Sequence, residues 1–143
     1  MSVAVLVSAS EALDVAQEVA NTWSETAADR DIDGQSPTSE LRVLSESGLL
    51  GITIPQSHGG AAIGPRDLAE VFRILARADL SLAQTVQNHF DFVEVLGSAI
   101  PQTRDYLYQE VLHGKRFGNA LAEFGGDGER TLLAQLVVRV VSS

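Results

Sequence analysis

The sequence has no cysteine, a single lysine (Lys115), one tryptophan and four prolines in 143 residues. Without cysteine, disulfide scaffolds, thiolate metal sites and cysteine nucleophiles are excluded. Basic residues are scarce: ten against nineteen acids leave a formal charge of -9. A Lys/Arg grip on nucleic acid is therefore not expected, since contact with phosphates would begin with repulsion. No apolar stretch approaches the ~20 residues that span a bilayer, and Met1 to Val7 has no basic n-region. The expectation is a cytoplasmic protein with no membrane partner. Gly59-Gly60 has neither a GxGxxG pattern nor a Walker lysine, and there is no HExxH or Ser/His/Asp set.

What is present is an acidic first third and a change of period late in the chain. Residues 1–46 hold -7 of the total charge. Helical spacing predicts a first helix over Glu11–Ala28, with Leu13, Ala16, Ala20, Trp23 and Ala27 on one stripe and a Ser8/Glu11 capping box. A polar linker, Asp29–Ser36, follows. Pro37 opens a short second helix with Leu41 and Leu44 inward, and Gly48 stops it. The apolar run Leu49–Ile54 ends at Pro55 and leads into a glycine loop. Pro65 opens a third helix, Asp79–Ser81 breaks it, a fourth ends near Gly97, and a fifth runs from Pro101 to a stop at Gly114. From Arg116 the period becomes two: Phe117, Asn119, Leu121 and Glu123 share one strand face. Gly125–Gly128 reads as a turn and Thr131–Val141 as a second strand. The predicted architecture is an all-α domain of five helices over residues 1–115, then the first β-hairpin of a second domain over 116–143.

Three groups of residues suggest chemistry. Asp29-x-Asp31-x-Asp33-Gly34 followed by Glu40 fits the EF-hand calcium pattern, although Pro37 starts a helix inside the loop and Ser36 takes a normally apolar position. The competing reading is a solvated acidic linker. His89 lies roughly 50° from the centre of the Leu82/Val86/Phe90/Val93 stripe on a helical wheel, so it points partly inward. Such an imidazole either satisfies a core or holds a proton near neutral pH. His58, in the glycine loop, reads as a surface residue. Asn119 and Glu123, on a strand face with Phe117 and Leu121, either bond a ligand or form the wet side of an edge strand.

The segment Leu41-Arg-Val-Leu-Ser-Glu-Ser-Gly-Leu-Leu-Gly-Ile-Thr-Ile-Pro55, then Gln-Ser-His-Gly-Gly60, then Asp67-Leu-Ala-Glu-Val-Phe-Arg-Ile-Leu-Ala-Arg-Ala-Asp79, resembles the N-terminal helical domain of the acyl-CoA dehydrogenase superfamily. The likeness continues through Gly114-Lys-Arg-Phe-Gly-Asn-Ala-Leu-Ala-Glu123 and covers residues about 11–130. Gln87-Asn-His-Phe90 and Phe117–Glu123 are most similar to its flavin-dependent monooxygenase branch, the dibenzothiophene monooxygenase type that oxidises sulfur compounds. That resemblance implies reduced FMN (FAD in the dehydrogenases) and a small-molecule substrate. It assigns His89 to proton transfer at the flavin peroxide and Asn119 to hydrogen bonding there. Leu121 and Ala122 would give backbone contacts to the flavin, and Phe90 would line the substrate cavity. The dehydrogenases read Leu-Thr-Glu-Pro-Gly where this chain has Leu121-Ala-Glu-Phe-Gly125, so their flavin-bonding threonine is Ala122 here. The family's further β-strands and C-terminal four-helix bundle, with its oligomer interface, are not in these 143 residues. The isolated chain is accordingly expected to be a truncated, inactive part of a homo-oligomeric enzyme. The alternatives are an FAD-dependent acyl-CoA dehydrogenase and a non-catalytic helical interaction domain, with or without calcium at Asp29–Glu40.

Overall fold

The structure is a computed structural model, and it describes residues 2–118. Five α-helices follow in chain order: α1 (Ala9–Asp33), α2 (Thr38–Glu46), α3 (Pro65–Ala78), α4 (Leu80–Leu96) and α5 (Pro101–Leu112). The all-α expectation holds for these residues. Asn119 to Ser143, where the β-hairpin is expected, lie outside the described residues.

Each boundary has a local cause. Ser8 Oγ accepts from Glu11 N–H as the predicted cap of α1, while Glu11 Oε2 accepts from Val7 N–H, one residue before the Ser8 N–H of a full capping box. Pro65 and Pro101 sit in the first turns of α3 and α5, where a missing N–H costs nothing. A single extended residue, Asp79, separates α3 from α4, and its Oδ1 accepts from Leu82 N–H at 3.0 Å. The predicted three-residue break is thus one residue wide. The larger correction is at α1, which runs five residues past Ala28 and absorbs most of the expected linker. It stops at Gly34, whose left-handed φ of 62° suits glycine, and the Gly34 N–H bonds Arg30 C=O.

The core forms where α1 lies on α3, α3 lies on α4, and α5 covers the turn after α2. On α1 the buried face is Ala12, Ala16, Val19, Ala20 and Trp23. Its small side chains let α3 approach closely with Val71 and Leu75. The Leu49–Ile54 run coils into a 3-10 turn over Leu49–Gly51, and Leu49, Leu50, Ile52 and Ile54 are all buried. Fully burying one such side chain contributes roughly 1.5–3 kcal/mol. The N-terminal strap crosses this region, with Ala4 N–H on Glu46 C=O at 2.9 Å and Leu6 buried beneath it.

Candidate functional site

Near its middle, α4 carries His89 and Phe90 side by side. His89 is fully buried. Its Nε2 lies 2.9 Å from Leu50 C=O, and its Nδ1 accepts the Phe117 N–H at 3.2 Å. A carbonyl can only accept, so Nε2 carries the proton and the ring is the neutral Nε2–H tautomer. The Phe117 ring stacks on the imidazole at 5.6 Å between centroids and 24° between planes. Phe90 meets it edge-on at 5.1 Å, Phe72 meets Phe90 edge-on, and Phe92 leans on Phe117. Burial pushes the His89 pKa down to about 4; the Leu50 carbonyl opposes this and the Arg116 charge adds to it. At neutral pH His89 is uncharged, with both nitrogens engaged.

Of the residues expected at a site, the structure therefore brings together His89 and Phe90, with Phe117 stacked on the imidazole. Phe90 is buried against Phe72 and His89. Asn119, Leu121 and Ala122 lie outside the described residues, as does Glu123. His89, Phe90 and Phe117 are buried against one another as a packed aromatic cluster, and Phe92 leans on its edge.

The calcium reading is overturned. Asp29, Asp31 and Asp33 are helical residues of α1. Neighbours two apart on a helix diverge by about 200°, so the three carboxylates cannot converge on one ion. Glu40, the expected bidentate ligand, is buried and engaged elsewhere: its Oε1 accepts from Arg30 at 2.6 Å and from Thr26, and its Oε2 from Ser39. Among the described residues no cluster of three His, Asp or Glu side chains could hold a metal. Arg30 was not legible as a structural residue, yet its second nitrogen also bonds Asp79 Oδ2 at 2.6 Å. Burial raises the Glu40 pKa, but hydrogen bonds from Thr26, its own backbone N–H and Ser39, together with the Arg30 charge, outweigh it, leaving it below the ordinary 4.5.

One arrangement was missed in the sequence. Ser57 Oγ lies 3.0 Å from His58 Nδ1, and His58 Nε2 lies 3.1 Å from Asp105 Oδ1. Ser57 is exposed and Asp105 is shared with Arg104, so the trio forms a surface clamp between the glycine loop and α5. His58, expected at the surface, is half-buried and stands edge-on to Tyr108. An open groove of about 410 Å³ beside His58, Leu112 and His113, and another of about 460 Å³ beside Arg30 and Asp79, include neither His89 nor Phe90.

Comparison with known proteins places this geometry. A probable FMNH2-dependent monooxygenase, SfnC, from Pseudomonas putida is 40% identical over 78 residues, covering 54% of this chain and 20% of that protein. Dibenzothiophene monooxygenase from Rhodococcus erythropolis is 34% identical over 113 residues, covering 76% of this chain and 27% of that one. The crystal structure of FMN-bound TdsC from Paenibacillus sp. A11-2 superimposes with a TM-score of 0.72 at 33% identity, over 81% of this chain and 30% of that chain. The chain thus spans less than a third of the length of each protein it matches. The family model for the acyl-CoA dehydrogenase N-terminal domain matches residues 10–110, most of the chain, and by that match the chain belongs to this family.

Proposed function

We propose that this chain is the helical N-terminal part of a reduced-flavin monooxygenase that acts on a small organosulfur compound. The observation that carries the reading is the joint likeness in fold and sequence to an FMN-bound structure, at TM-score 0.72 and 33% identity. Two curated relatives with monooxygenase names support it. Ala122, standing where the dehydrogenases place a flavin-bonding threonine, disfavours their chemistry. When bound, reduced FMN would supply the two electrons that let O2 give one oxygen atom to sulfur and release the other as water.

The chain's own residues then divide the work. Asn119 would hydrogen-bond the flavin, Leu121 and Ala122 would offer backbone contacts, and Phe90 would close the apolar side of the substrate cavity. His89 would take part as a neutral imidazole. Delivering a proton from it requires giving up either Leu50 C=O or Phe117 N–H, because both nitrogens are engaged. A cytoplasmic location and a homo-oligomeric assembly complete the proposal, since reduced flavin must be made in the compartment where it is used. Among the described residues no helix is long and apolar enough to cross a membrane.

The test uses the protein expressed from its complete gene, with reduced FMN, dibenzothiophene and isotopically labelled O2. The expected product carries one labelled oxygen per turnover on sulfur. Bleaching of bound FAD by an acyl-CoA without O2, and no sulfur oxidation, would establish the dehydrogenase instead.

A further inference from the structure

We propose that His89 is a positioning residue, which fixes the backbone of Phe117, two residues before Asn119 in sequence. The effect on flavin binding rests on the monooxygenase reading above; the backbone restraint does not.

Two backbone groups far apart in sequence converge on this one ring, Leu50 at a separation of 39 residues and Phe117 at 28. The turn explains the first. Gly48, Leu49 and Gly51 carbonyls accept from Gly51, Ile52 and Ile54 N–H, whereas the Leu50 carbonyl points to His89. Leu50 is buried, so that carbonyl needs a donor. The second group stands where α5 has ended: Gly114 N–H closes on Val111 and Lys115 N–H on Glu110, and Phe117 N–H is given to His89. Phe117 is buried as well, and its ring lies over the imidazole, so the residue is held by both backbone and side chain.

A neutral histidine suits this task for a geometric reason. It presents one donor and one acceptor from opposite sides of a rigid ring, matching one carbonyl and one N–H. Asparagine reaches only the nearer position and glutamine only the farther one. Two residues of chain span at most ~7 Å, so a fixed Phe117 limits the reach of whatever follows it in sequence.

The two amide variants separate this role from proton transfer. In the protein from its complete gene, amide hydrogen exchange at Phe117 is measured with FMN affinity for wild type, His89→Asn and His89→Gln. The Asn amide can still accept from Phe117 N–H, so exchange there stays within about tenfold of wild type, whereas in His89→Gln it rises by about 100-fold. FMN binding follows the same order, weakening about tenfold or more only in His89→Gln. Equal Phe117 exchange in all three proteins overturns the proposal. So does equal loss of turnover in both variants with FMN affinity unchanged, the mark of a proton carrier. If wild type binds no FMN, the monooxygenase reading fails, and the exchange order still decides whether His89 holds Phe117. Ring-nitrogen NMR on wild type gives a decision even if a variant fails to fold: the Nε2–H tautomer is expected, and the Nδ1–H tautomer overturns the proposal.

Discussion

Protonating His89 would set a second N–H against the Phe117 N–H inside a site closed to water, and this gives stability a pH dependence. Its pKa is about 4 in the fold against an ordinary 6.5. A depressed histidine pKa means that the unfolded chain takes up the proton first as pH falls. The His89 contribution is therefore complete above pH 6.5 and declines toward pH 4, at up to about 1.4 kcal/mol per unit. Urea midpoints between these values should fall for wild type and be nearly flat for His89→Phe. Glu40 acts in a lower window. Its pKa is held below 4.5, so its contribution is present above that value and is lost as pH falls through the folded pKa. Glu40→Gln should be less stable than wild type at neutral pH, with the gap closing in acid below 4.5. The direction of His89 was legible from the helical wheel. Its partners were not, because Leu50 and Phe117 come from distant parts of the chain and contribute only backbone atoms, which no side-chain pattern encodes.

The helices were largely legible, because proline and aspartate act within one turn of where they stand. Pro65, Asp79 and Pro101 mark the boundaries of α3, α4 and α5 in the structure as in the sequence. The end of α1 was not legible. Asp29, Asp31 and Asp33 have weak helix preference, and the one apolar residue in that stretch, Ile32, is exposed. They are helical because Arg30 is anchored from outside the helix and Gly34 stops the chain there. The same aspartates satisfied a calcium motif letter for letter, since a motif records order and a helix decides direction. The glycine loop gives the sharpest test at this scale. A Cβ on Gly60 would lie 2.1 Å from Ile54 C=O and 2.5 Å from Ile54 Cβ. Gly60→Ala must push the loop off the buried turn, and should cost roughly 1–3 kcal/mol in denaturant unfolding.

Arg30 acts on the whole molecule, because it joins three elements at one point. Its guanidinium bonds Glu40 of α2 and Asp79 at the α3–α4 junction, while its own backbone belongs to α1. All three side chains are about nine-tenths buried, with 10%, 9% and 13% exposure. Arg30→Ala would leave two enclosed carboxylates without their cation. The expected loss is roughly 2–3 kcal/mol, between the limits for surface and for fully buried pairs. A double-mutant cycle with Glu40→Gln should give a coupling well above the scatter of independent sites. Beside this junction stands Trp23, fully buried, with its indole N–H on Glu40 C=O at 3.2 Å. It is the chain's single tryptophan. Its emission therefore comes from one dry, hydrogen-bonded place, and α1 cannot detach from α2 without admitting water to that ring. The domain is labelled by nature for optical work: a red shift in fluorescence reports separation of these helices without any added dye.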